Sequence, residues 1–273
     1  MELKDLLEKI LNLVKKTGDL MCKFFYSSFE VYRKKQIEIV TTVDYQIEEQ
    51  LIKELRKLTP EIEIIGEESF SEEKILKNLK YYWLIDPIDG TVNFVHRIPW
   101  FAISIALMQE KMPILGVVYN PVTKECFYAI KNKGAYLNGT VIRVSEEDKM
   151  ENALLCTSFP GDCKIKGFEK CLILFKEFNL ISQGVRRFGS AALDLAYVAC
   201  GKYEGFWEPY LKPWDTAAGM LLVKEAGGEV TDYFGNPYHP FLDSIVASNG
   251  KLHSKLIEYT SKYYPNYLRN PFD

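Results

Sequence analysis

The sequence predicts a mixed α/β (α+β) protein of two lobes, in which helices flank β-sheets. Helical and strand-like patterns alternate along the 273 residues, without internal repeats or low-complexity linkers. Hydrophobic residues make up 47% of the chain, which is enough to fill a substantial core. A long run of strand patterns in the first half, followed by mixed patterns in the second, indicates two lobes with different sheets.

The first lobe is predicted to combine two N-terminal helices with a mainly antiparallel sheet. Apolar residues at helical spacing run from Leu3 to Val14 and again from Ile47 to Leu58. Strand patterns follow in "IEII", in residues 81–85, and in "FAISIALM", "PILGVVYN" and "ECFYAI". Turn signals in "NPVTKE" and at Asn138-Gly139 join these strands, so we expect hairpin connections.

The second lobe is predicted to alternate strands and helices. Strand patterns occupy "ALLCTSF", "FWE" and "EVTDYF", while helical patterns occupy "FEKCLILFKEF", "SAALDLAYVAC" and "WDTAAGMLLVKEAGG". Glycines end the last two helices, at Gly201 and at Gly227. The polar connector "SEEDKMEN" indicates a boundary, which gives lobes at 1–148 and 149–273. Because this connector is short, we expect the lobes to pack tightly and to share a site.

The charge balance and the cysteines disfavour several classes of protein. Acidic residues number 37 against 34 Lys and Arg, a formal charge of -3, so the basic excess of a nucleic-acid-binding protein is missing. The six cysteines form no CxxC pair, which indicates reduced thiols. The sequence has neither an apolar run of about 20 residues nor a signal-peptide pattern. We therefore expect a soluble cytoplasmic protein without a membrane partner or a direct nucleic-acid partner.

Carboxylates gather at predicted strand ends and at a helix start. Asp86 and Asp89 follow an apolar strand, Glu67 and Glu68 follow "IEII", and Asp215 opens a helix. Taken singly, Asp89 suits a turn, Glu67 and Glu68 suit a solvated loop, and Asp215 suits a helix N-cap. Such ends commonly converge on one crevice, where each pair about 4 Å apart would repel by roughly 4 kcal/mol at an effective dielectric of about 20. A compensating cation is therefore expected.

A hard divalent cation suits these acids better than a basic side chain does. The basic residues that follow them along the chain, Lys74 and Arg97, are not adjacent to the acids. Mg²⁺ takes oxygen ligands from carboxylates, carbonyls and water, often beside a phosphate. The three histidines, His96, His239 and His253, are scattered, which disfavours a softer metal. The sequence thus predicts an oxygen-only site for two or more Mg²⁺ ions.

The residues around the second aspartate complete a predicted phosphate cradle. If a short helix begins at Thr91, its first N–H groups point back toward the acids, and Gly90 lets the backbone approach a phosphate. Asp86 could bridge two ions, while the Ile88 carbonyl and Asp89 could ligate them. Such a site would hydrolyse a phosphomonoester with a metal-activated water.

Blocks of this sequence resemble the signature blocks of the inositol monophosphatase family. They are "GEES" (66–69), "WLIDPIDGTVNFVHRIPWFAISIAL" (83–107), "VRRFGSAALDLAYVACG" (185–201) and "LKPWDTAAGMLLVKEAGG" (211–228). The block at 185–201 is similar to the bacterial-type inositol-1-monophosphatases in particular. The resemblance extends from about Val40 to Asn249. It implies a five-layered α/β/α/β/α sandwich of the sugar phosphatase type, usually a homodimer, and a Mg²⁺-dependent, lithium-sensitive phosphomonoesterase.

The resemblance also implies a role for each residue of the site. Glu67 and Thr91 would orient and deprotonate the attacking water, with Asp44 bonded to Thr91, although Asp44 also suits a helix N-cap. Gly90 and Thr91 would grip the phosphate. The metal ligands would be Glu67, Asp86, the Ile88 carbonyl, Asp89 and Asp215, with a third, weaker ion on Glu67. The groups that meet the hydroxyls of a polyol would be Asp89, Ala191 and Glu208.

Two features leave the substrate open. Arg186, Arg187 and Lys212 could contact a second phosphate, or they could be ordinary surface or dimer-interface charges. The charged segment 70–80 could be a mobile flap over the metals or a plain helix-bearing loop. The sequence therefore predicts an inositol monophosphatase, with a fructose bisphosphatase or another sugar or nucleotide phosphatase as the alternative. An RNA-polymerase-associated protein factor is the alternative of another class.

Overall fold

The computed structural model describes residues 2–33, 39–70, 79–160 and 167–263. The segment 71–78, which makes up most of the predicted flap, lies outside these residues, as does Cys163. The cysteines within the described ranges are free, in agreement with the predicted thiols. No helix in these ranges combines the length and the apolar character needed to cross a bilayer.

The first half of the described chain contains two long helices, a short helix and a series of strands. The helices are α1 (Leu3–Phe25), α2 (Thr42–Leu58) and α3 (Thr91–Val95). The strands are β1 (Val31–Arg33), β2 (Ile39–Thr41), β3 (Glu63–Gly66), β4 (Tyr81–Asp89), β5 (Ala102–Gln109), β6 (Met112–Asn120), β7 (Glu125–Ile130), β8 (Ala135–Leu137) and β9 (Thr140–Ile142). The predicted amphipathic helices correspond to α1 and α2, whose buried residues recur at helical spacing.

The second half alternates strands and helices after a 3₁₀ turn at Met150–Asn152. The strands are β10 (Leu154–Thr157), β11 (Gly184–Arg186), β12 (Gly205–Pro209), β13 (Glu229–Thr231) and β14 (Ser244–Ser248). The helices are α4 (Phe168–Ile181), α5 (Ala191–Ala199), α6 (Pro213–Glu225) and α7 (His253–Tyr263). The sequence patterns did not predict β11, β14 or α7.

Strands β3 to β9 form the large sheet in chain order. Among the described strands of this sheet, every neighbouring pair is antiparallel except β3 and β4, which confirms the predicted antiparallel character. Strand β4 continues to Asp89, beyond its predicted end at Ile85. Asp86 pairs with Ser104 whereas Asp89 pairs with Ala102, so the strand bulges between the two aspartates. Such a bulge redirects the side chains at the end of a strand.

The small sheet has the strand order β11-β10-β12-β14-β13. Strand β10 runs parallel to both of its neighbours, and the chain passes from β10 to β11 through α4 and from β11 to β12 through α5. Strand β14 is antiparallel to β12 and to β13. Because β11 and β12 point in the same direction, the helices that follow them, α5 and α6, begin at the same edge of the sheet.

Hydrophobic clusters in the described chain define five layers. Helices α1 and α2 cover one face of the large sheet, where Ile85 and Ile105 pack. Helices α5 and α6 lie between the sheets, against Leu84 of the large sheet and Phe206 of the small sheet. Helices α4 and α7 cover the outer face of the small sheet around Trp207. Successive side chains of a strand point to opposite faces, which explains why Leu84 and Ile85 belong to different clusters. The α/β/α/β/α sandwich is therefore confirmed.

The two sheets draw their strands from different halves of the chain, before and after residue 148. The central hydrophobic cluster nevertheless contains residues of both halves. A division into lobes at 1–148 and 149–273 therefore stays a prediction. Polar contacts also join the halves: the Tyr197 hydroxyl of α5 donates to Glu125 of β7 at 2.8 Å, and the Lys202 ammonium lies 3.0 Å from the same carboxylate.

The carboxylate of Glu225, in the last turn of α6, binds the turn between β7 and β8. It accepts from the backbone N–H groups of Asn132, Lys133 and Gly134 at 2.7, 3.0 and 2.8 Å. Asn132 and Gly134 have positive φ angles, which orients successive N–H groups toward one anion. This contact holds a helix of the second half against the sheet of the first.

We predict that Glu225→Ala lowers the free energy of unfolding by about 1 to 3 kcal/mol, because the turn loses its acceptor. Urea-induced unfolding followed by circular dichroism measures the loss. Lys224→Ala, at the neighbouring exposed position, is the control and should change the free energy by about 0.5 kcal/mol or less. Equal losses in the two variants would show that the Glu225 contact contributes nothing.

Candidate active site

The end of β4 and the start of α3 lie at the centre of the candidate site. Gly90, between them, has φ +98°, in the left-handed region that glycine tolerates best. A Cβ at this position would lie 2.9 Å from the Trp100 carbonyl oxygen. Asn93 Nδ2 donates to the carbonyls of Trp100 and Phe188 at 2.7 Å each, which holds the loop before α5 against this turn. Helix α3 begins at Thr91, as predicted.

Asp89 is buried and is held by the start of α5. Its Oδ2 accepts from the Ser190 hydroxyl at 2.5 Å and from the Ala192 backbone N–H at 2.8 Å. Burial raises the pKa of Asp89 to about 6, although the bonds from Ser190 and from the backbone of Ala192 and Ala191 oppose the rise. The structure therefore brings the predicted residues Asp89 and Ala191 together.

Asp86 lies among the other predicted acids. Burial raises the pKa of Asp86 well above its usual range, and the charges of Glu67, Asp89 and Asp215 raise it further. Its carboxyl group is hydrogen-bonded to Glu67, and its Oδ1 accepts from the Ile88 N–H at 2.9 Å. These acids, which come from β4, from the loop after β3 and from α6, are therefore within electrostatic reach of one another.

Asp215 is the third residue of α6, in the first turn of the helix, so the alternative explanation of this residue as an N-cap is wrong. The N-cap is Lys212, whose backbone N–H donates to Asp215 Oδ2 at 2.7 Å. An acid at the third position of a helix can reach back to the cap, so both positions favour a short carboxylate. Burial and the charge of Asp89 raise the pKa of Asp215 to about 7, against the opposing effect of Lys212.

Thr91 contacts Asp44, as the resemblance implied. Its hydroxyl oxygen lies 3.1 Å from Asp44 Oδ1 and 3.0 Å from the Ile88 carbonyl oxygen, and its one proton can be donated to one of them at a time. Asp44 is not the N-cap of α2, because Thr41 occupies that position. Asp44 Oδ2 accepts from the Thr41 N–H at 2.7 Å and from its hydroxyl at 2.5 Å. This capping box fixes the carboxylate that faces Thr91.

Two further buried acids lie near this group. Glu208, on β12, is 5% exposed, and its Oε2 has no hydrogen-bond partner in the described part of the chain. Burial raises the pKa of Glu208 well above its usual range, and Asp194, Asp215 and Asp89 add to the rise. Asp194, in α5, is fully buried. Burial and the charge of Asp89 raise its pKa, whereas the nearby Trp100 indole opposes this rise. Neither carboxylate oxygen of Asp194 has a hydrogen-bond partner among the described residues. Sequence reasoning missed Asp194, although an acid inside the apolar "AALDLAYVA" was a usable signal.

Two of the three predicted basic residues border the acids. Arg187 lowers the pKa of Glu208, and its guanidinium lies 5.7 Å from the centre of the Phe159 ring. Lys212 opposes the rise in the pKa of Asp215. Arg186 is exposed on β11. One exposed cation, Arg187, therefore lies near Glu208, and another, Lys212, lies near Asp215.

The donor set of the site fits a hard divalent cation in its chemistry. It consists of the carboxylates of Glu67, Asp86, Asp89 and Asp215 and of the Ile88 carbonyl, and a cation would relieve the repulsion among these acids. Within the described ranges, however, no group of three or more Asp, Glu, His or Cys side chains is arranged to hold a metal ion. Oxygens of Asp89 and Asp215 accept from protein N–H and O–H groups instead. Ion binding would therefore require a change in the arrangement of this donor set.

Sequence and structure both relate the chain to known proteins. The sequence model of the inositol monophosphatase family matches residues 2–264. A Nus factor SuhB from Pseudomonas aeruginosa is 43% identical over 242 residues, which cover 88% of this chain and 89% of that protein. An inositol-1-monophosphatase from Synechocystis sp. is 40% identical over 219 residues, which cover 80% of this chain and 75% of that protein. The solved structure of an IMPase from Thermotoga maritima matches with a TM-score of 0.86 and 34% identity, over 95% of this chain and 98% of its own.

The raised pKa values predict that the metal-free protein loses stability as the pH rises from about 4 to about 7. In this window Asp89 and Asp215 keep their protons in the folded state, whereas the same side chains have lost theirs in the unfolded chain. The free energy of unfolding therefore falls as the pH rises through the folded pKa values. Each pKa unit corresponds to about 1.4 kcal/mol. Urea unfolding in chelator at about pH 5 and about pH 8 measures the loss.

Asp215→Asn is the matched variant for this measurement. Its amide oxygen can still accept from the Lys212 N–H, but the side chain cannot titrate. The free energy of unfolding of this variant should therefore fall less between the two pH values than that of the wild type. An equal fall in both proteins would show that Asp215 has an ordinary pKa.

Proposed function

The chain belongs to the inositol monophosphatase family, and on that premise we propose that it is a Mg²⁺-dependent phosphatase that hydrolyses inositol monophosphate to inositol and inorganic phosphate. The observation that carries the proposal is the convergence of four carboxyl groups, from Glu67, Asp86, Asp89 and Asp215, beside the turn at Gly90. Acids that raise one another's pKa in this way are costly to bury together unless a cation compensates them.

The proposed metal ligands follow from this group of acids. Glu67, Asp86 and the Ile88 carbonyl would hold one ion, Asp86, Asp89 and Asp215 would hold a second, and Glu67 would support a third, weaker ion. When bound, Mg²⁺ supplies positive charge that stabilises the phosphoryl group and the leaving alkoxide. Asp89 and Asp215 would offer carboxylate oxygens to the ions while Oδ2 of each keeps its bonds to the starts of α5 and α6.

Glu67 and Thr91 are proposed to orient the attacking water and to take up its proton. When the Thr91 hydroxyl donates to Asp44, its lone pairs are left to accept a hydrogen bond from the water. Asp44 is in turn held by both donors of Thr41. The Glu67 carboxylate, beside Asp86, would accept the other proton as the bond from oxygen to phosphorus forms.

The proposed substrate contacts come from the end of β4, from the turn that follows it, from the start of α5 and from β12. The backbone N–H groups of Gly90 and Thr91 would bind the phosphate at the turn between β4 and α3. Asp89, the Ala191 backbone and Glu208 would meet the hydroxyls of the polyol. Glu208 supports this assignment because its buried Oε2, without a partner among the described residues, can accept a hydrogen bond from a substrate hydroxyl.

The identity of the substrate is tested by a panel of phosphate esters. Arg187 and Lys212, which border the acids, could instead bind a second phosphate of fructose bisphosphate or of a nucleoside bisphosphate. Phosphate release from these two compounds and from inositol monophosphate is measured with Mg²⁺ and with a chelator. We expect chelator-sensitive release that is fastest from inositol monophosphate. Release that the chelator does not affect, or no release at all, would refute the proposal.

We predict that Asp89→Asn abolishes turnover and leaves the fold intact. The amide oxygen can take the position of Oδ2 and accept from both the Ser190 hydroxyl and the Ala192 N–H, so the start of α5 keeps its partner, but a ligand charge is lost. Circular dichroism and phosphate release measure the two properties. Asp148→Asn, at an exposed position, is the control and should retain full turnover. Turnover in Asp89→Asn would place the second metal elsewhere.

A homodimer and inhibition by Li⁺ also belong to this proposal, because the family resemblance implies both. Light scattering of the purified protein measures its mass in solution, and phosphate release in increasing LiCl measures the inhibition. A monomer that hydrolyses inositol monophosphate would separate the oligomeric state from the activity.

A role in transcription is the second candidate function, and the name of a relative favours it. The Pseudomonas protein is named a Nus factor and is 43% identical to this chain. With a formal charge of -3, the chain would bind RNA polymerase as a protein partner rather than bind nucleic acid directly. Titration of purified bacterial RNA polymerase with the wild type and with Asp89→Asn tests this role. Equal binding of both would make the role independent of catalysis, and binding of neither would exclude it.

A further inference from the structure

Helix α2 directs two buried acids toward the candidate site. Asp44 and Glu48 lie one helical turn apart, on the same face of the helix. Asp44 contacts Thr91. Glu48, which is 3% exposed, reaches the opposite flank of the site, where its Oε2 accepts from the Glu68 backbone N–H at 2.8 Å. The two groups proposed to act on the water, Thr91 and Glu67, therefore lie in segments that are bonded to one helix.

The Glu48 carboxylate is matched to the turn that follows β3. Burial raises its pKa, whereas the Ser69 hydroxyl and the backbone N–H groups of Glu68 and Ser69 oppose that rise by donating to it. A carboxylate offers only acceptors, so it suits a turn that presents donors. The contact spans 20 residues along the chain, and it therefore joins α2 to this turn through tertiary structure alone.

Gly66, the last residue of β3, leaves the space that the Glu48 carboxylate occupies. A Cβ at this position would lie 2.5 Å from Glu48 Cδ and 2.5 Å from its Oε2. The carboxylate is thus enclosed by Gly66 on one side and by the backbone of Glu68 on the other. Glu67 lies between these two points of contact, and its own N–H donates to the Ile85 carbonyl at 3.1 Å.

We propose that Glu48 is a positioning residue that orients Glu67. In this proposal, which rests on the proposed function, Glu48 touches neither substrate nor metal. It fixes the backbone before and after Glu67, so that the Glu67 side chain stays beside Asp86. Partners that orient a metal ligand typically change metal affinity or activity by about 10- to 100-fold when they are removed.

The expected kinetic signature is a loss in kcat without a matching rise in KM, because the proposed substrate contacts at Gly90, Ala191 and Glu208 lie on other elements. Glu48→Gln removes the charge and one of the two acceptor oxygens that the carboxylate offers to the donors of Glu68 and Ser69. It should lower kcat by about 10- to 100-fold and raise the Mg²⁺ concentration for half-maximal activity by a similar factor. Glu49→Gln, at an exposed position on the same helix, is the matched control and should behave as wild type.

Amide hydrogen exchange in the metal-free protein separates positioning from a general loss of stability. In Glu48→Gln, the amides of Glu68 and Ser69 should exchange faster while those of α2 exchange as in the wild type. The rise in melting temperature that Mg²⁺ causes should become smaller. Unchanged exchange at these two amides, or a wild-type kcat, would overturn the proposal.

Gly66→Ala is the second variant, and it leaves every acidic residue of the sequence unchanged. Its methyl group would displace the Glu48 carboxylate from Glu68, so this variant should reproduce the loss in kcat. Wild-type kinetics in a folded Gly66→Ala protein would overturn the proposal, even if Glu48→Gln does not fold.

Failure of the proposed function is distinguishable from failure of this inference. If the wild type releases no phosphate from any ester of the panel, the proposed function fails. Exchange and melting with Mg²⁺ alone then decide the role of Glu48. Faster exchange with a smaller Mg²⁺ effect in Glu48→Gln would support it, and wild-type values of both would overturn it.

Discussion

Carboxyl groups buried beside one another set the constraint on which the rest of the site depends. Burial raises the pKa of Asp86, Asp89 and Asp215, and neighbouring acids raise those of Asp86 and Asp215 further. Fixed donors lower the free-energy cost of holding these three groups together. Asp86 accepts from the Ile88 N–H, and the other two accept from the starts of α5 and α6. The shared direction of β11 and β12 brings these helix starts to one edge of the small sheet.

Three helix starts each hold an acid that also faces the site. Asp44 completes the capping box of α2 with one oxygen and contacts Thr91 with the other. Asp215 accepts from the N-cap of α6, and Asp89 accepts from the first turn of α5. The positive end of the helix dipole favours a carboxylate at each of these points. The structural and the functional explanation of such an acid are therefore compatible, since the bond that caps the helix also fixes the proposed ligand.

The sequence predicted those parts of the fold in which residue pattern and local structure coincide, such as the amphipathic α1 and α2 and the start of α3 at Thr91. It missed β11, which has three residues, and β14, which is buried throughout, because neither shows the alternation of a half-buried strand. It could not exclude the N-cap for Asp44 and Asp215, which are both the third residue of their helices, because acids are favoured both at the cap and three residues later. The contacts of Asp194 and Glu48 join residues far apart along the chain, which spacing cannot show.

Asp44 and Glu48 lie on one helix, which explains how the segments that carry Thr91 and Glu67 can keep a fixed distance from each other. Displacement of a reacting group by about 1 Å can cost about 100-fold in rate, and loops alone rarely hold such precision. Helix α2 is fixed by Ile47 and Leu51, both 0% exposed, in the cluster beneath the large sheet. The apolar residues and the two acids are spaced by the same helical repeat, so they belong to one rigid helix. Packing of that helix in the core therefore also limits the movement of the segments that carry Thr91 and Glu67. The precision of the site thus depends on residues that never meet the substrate.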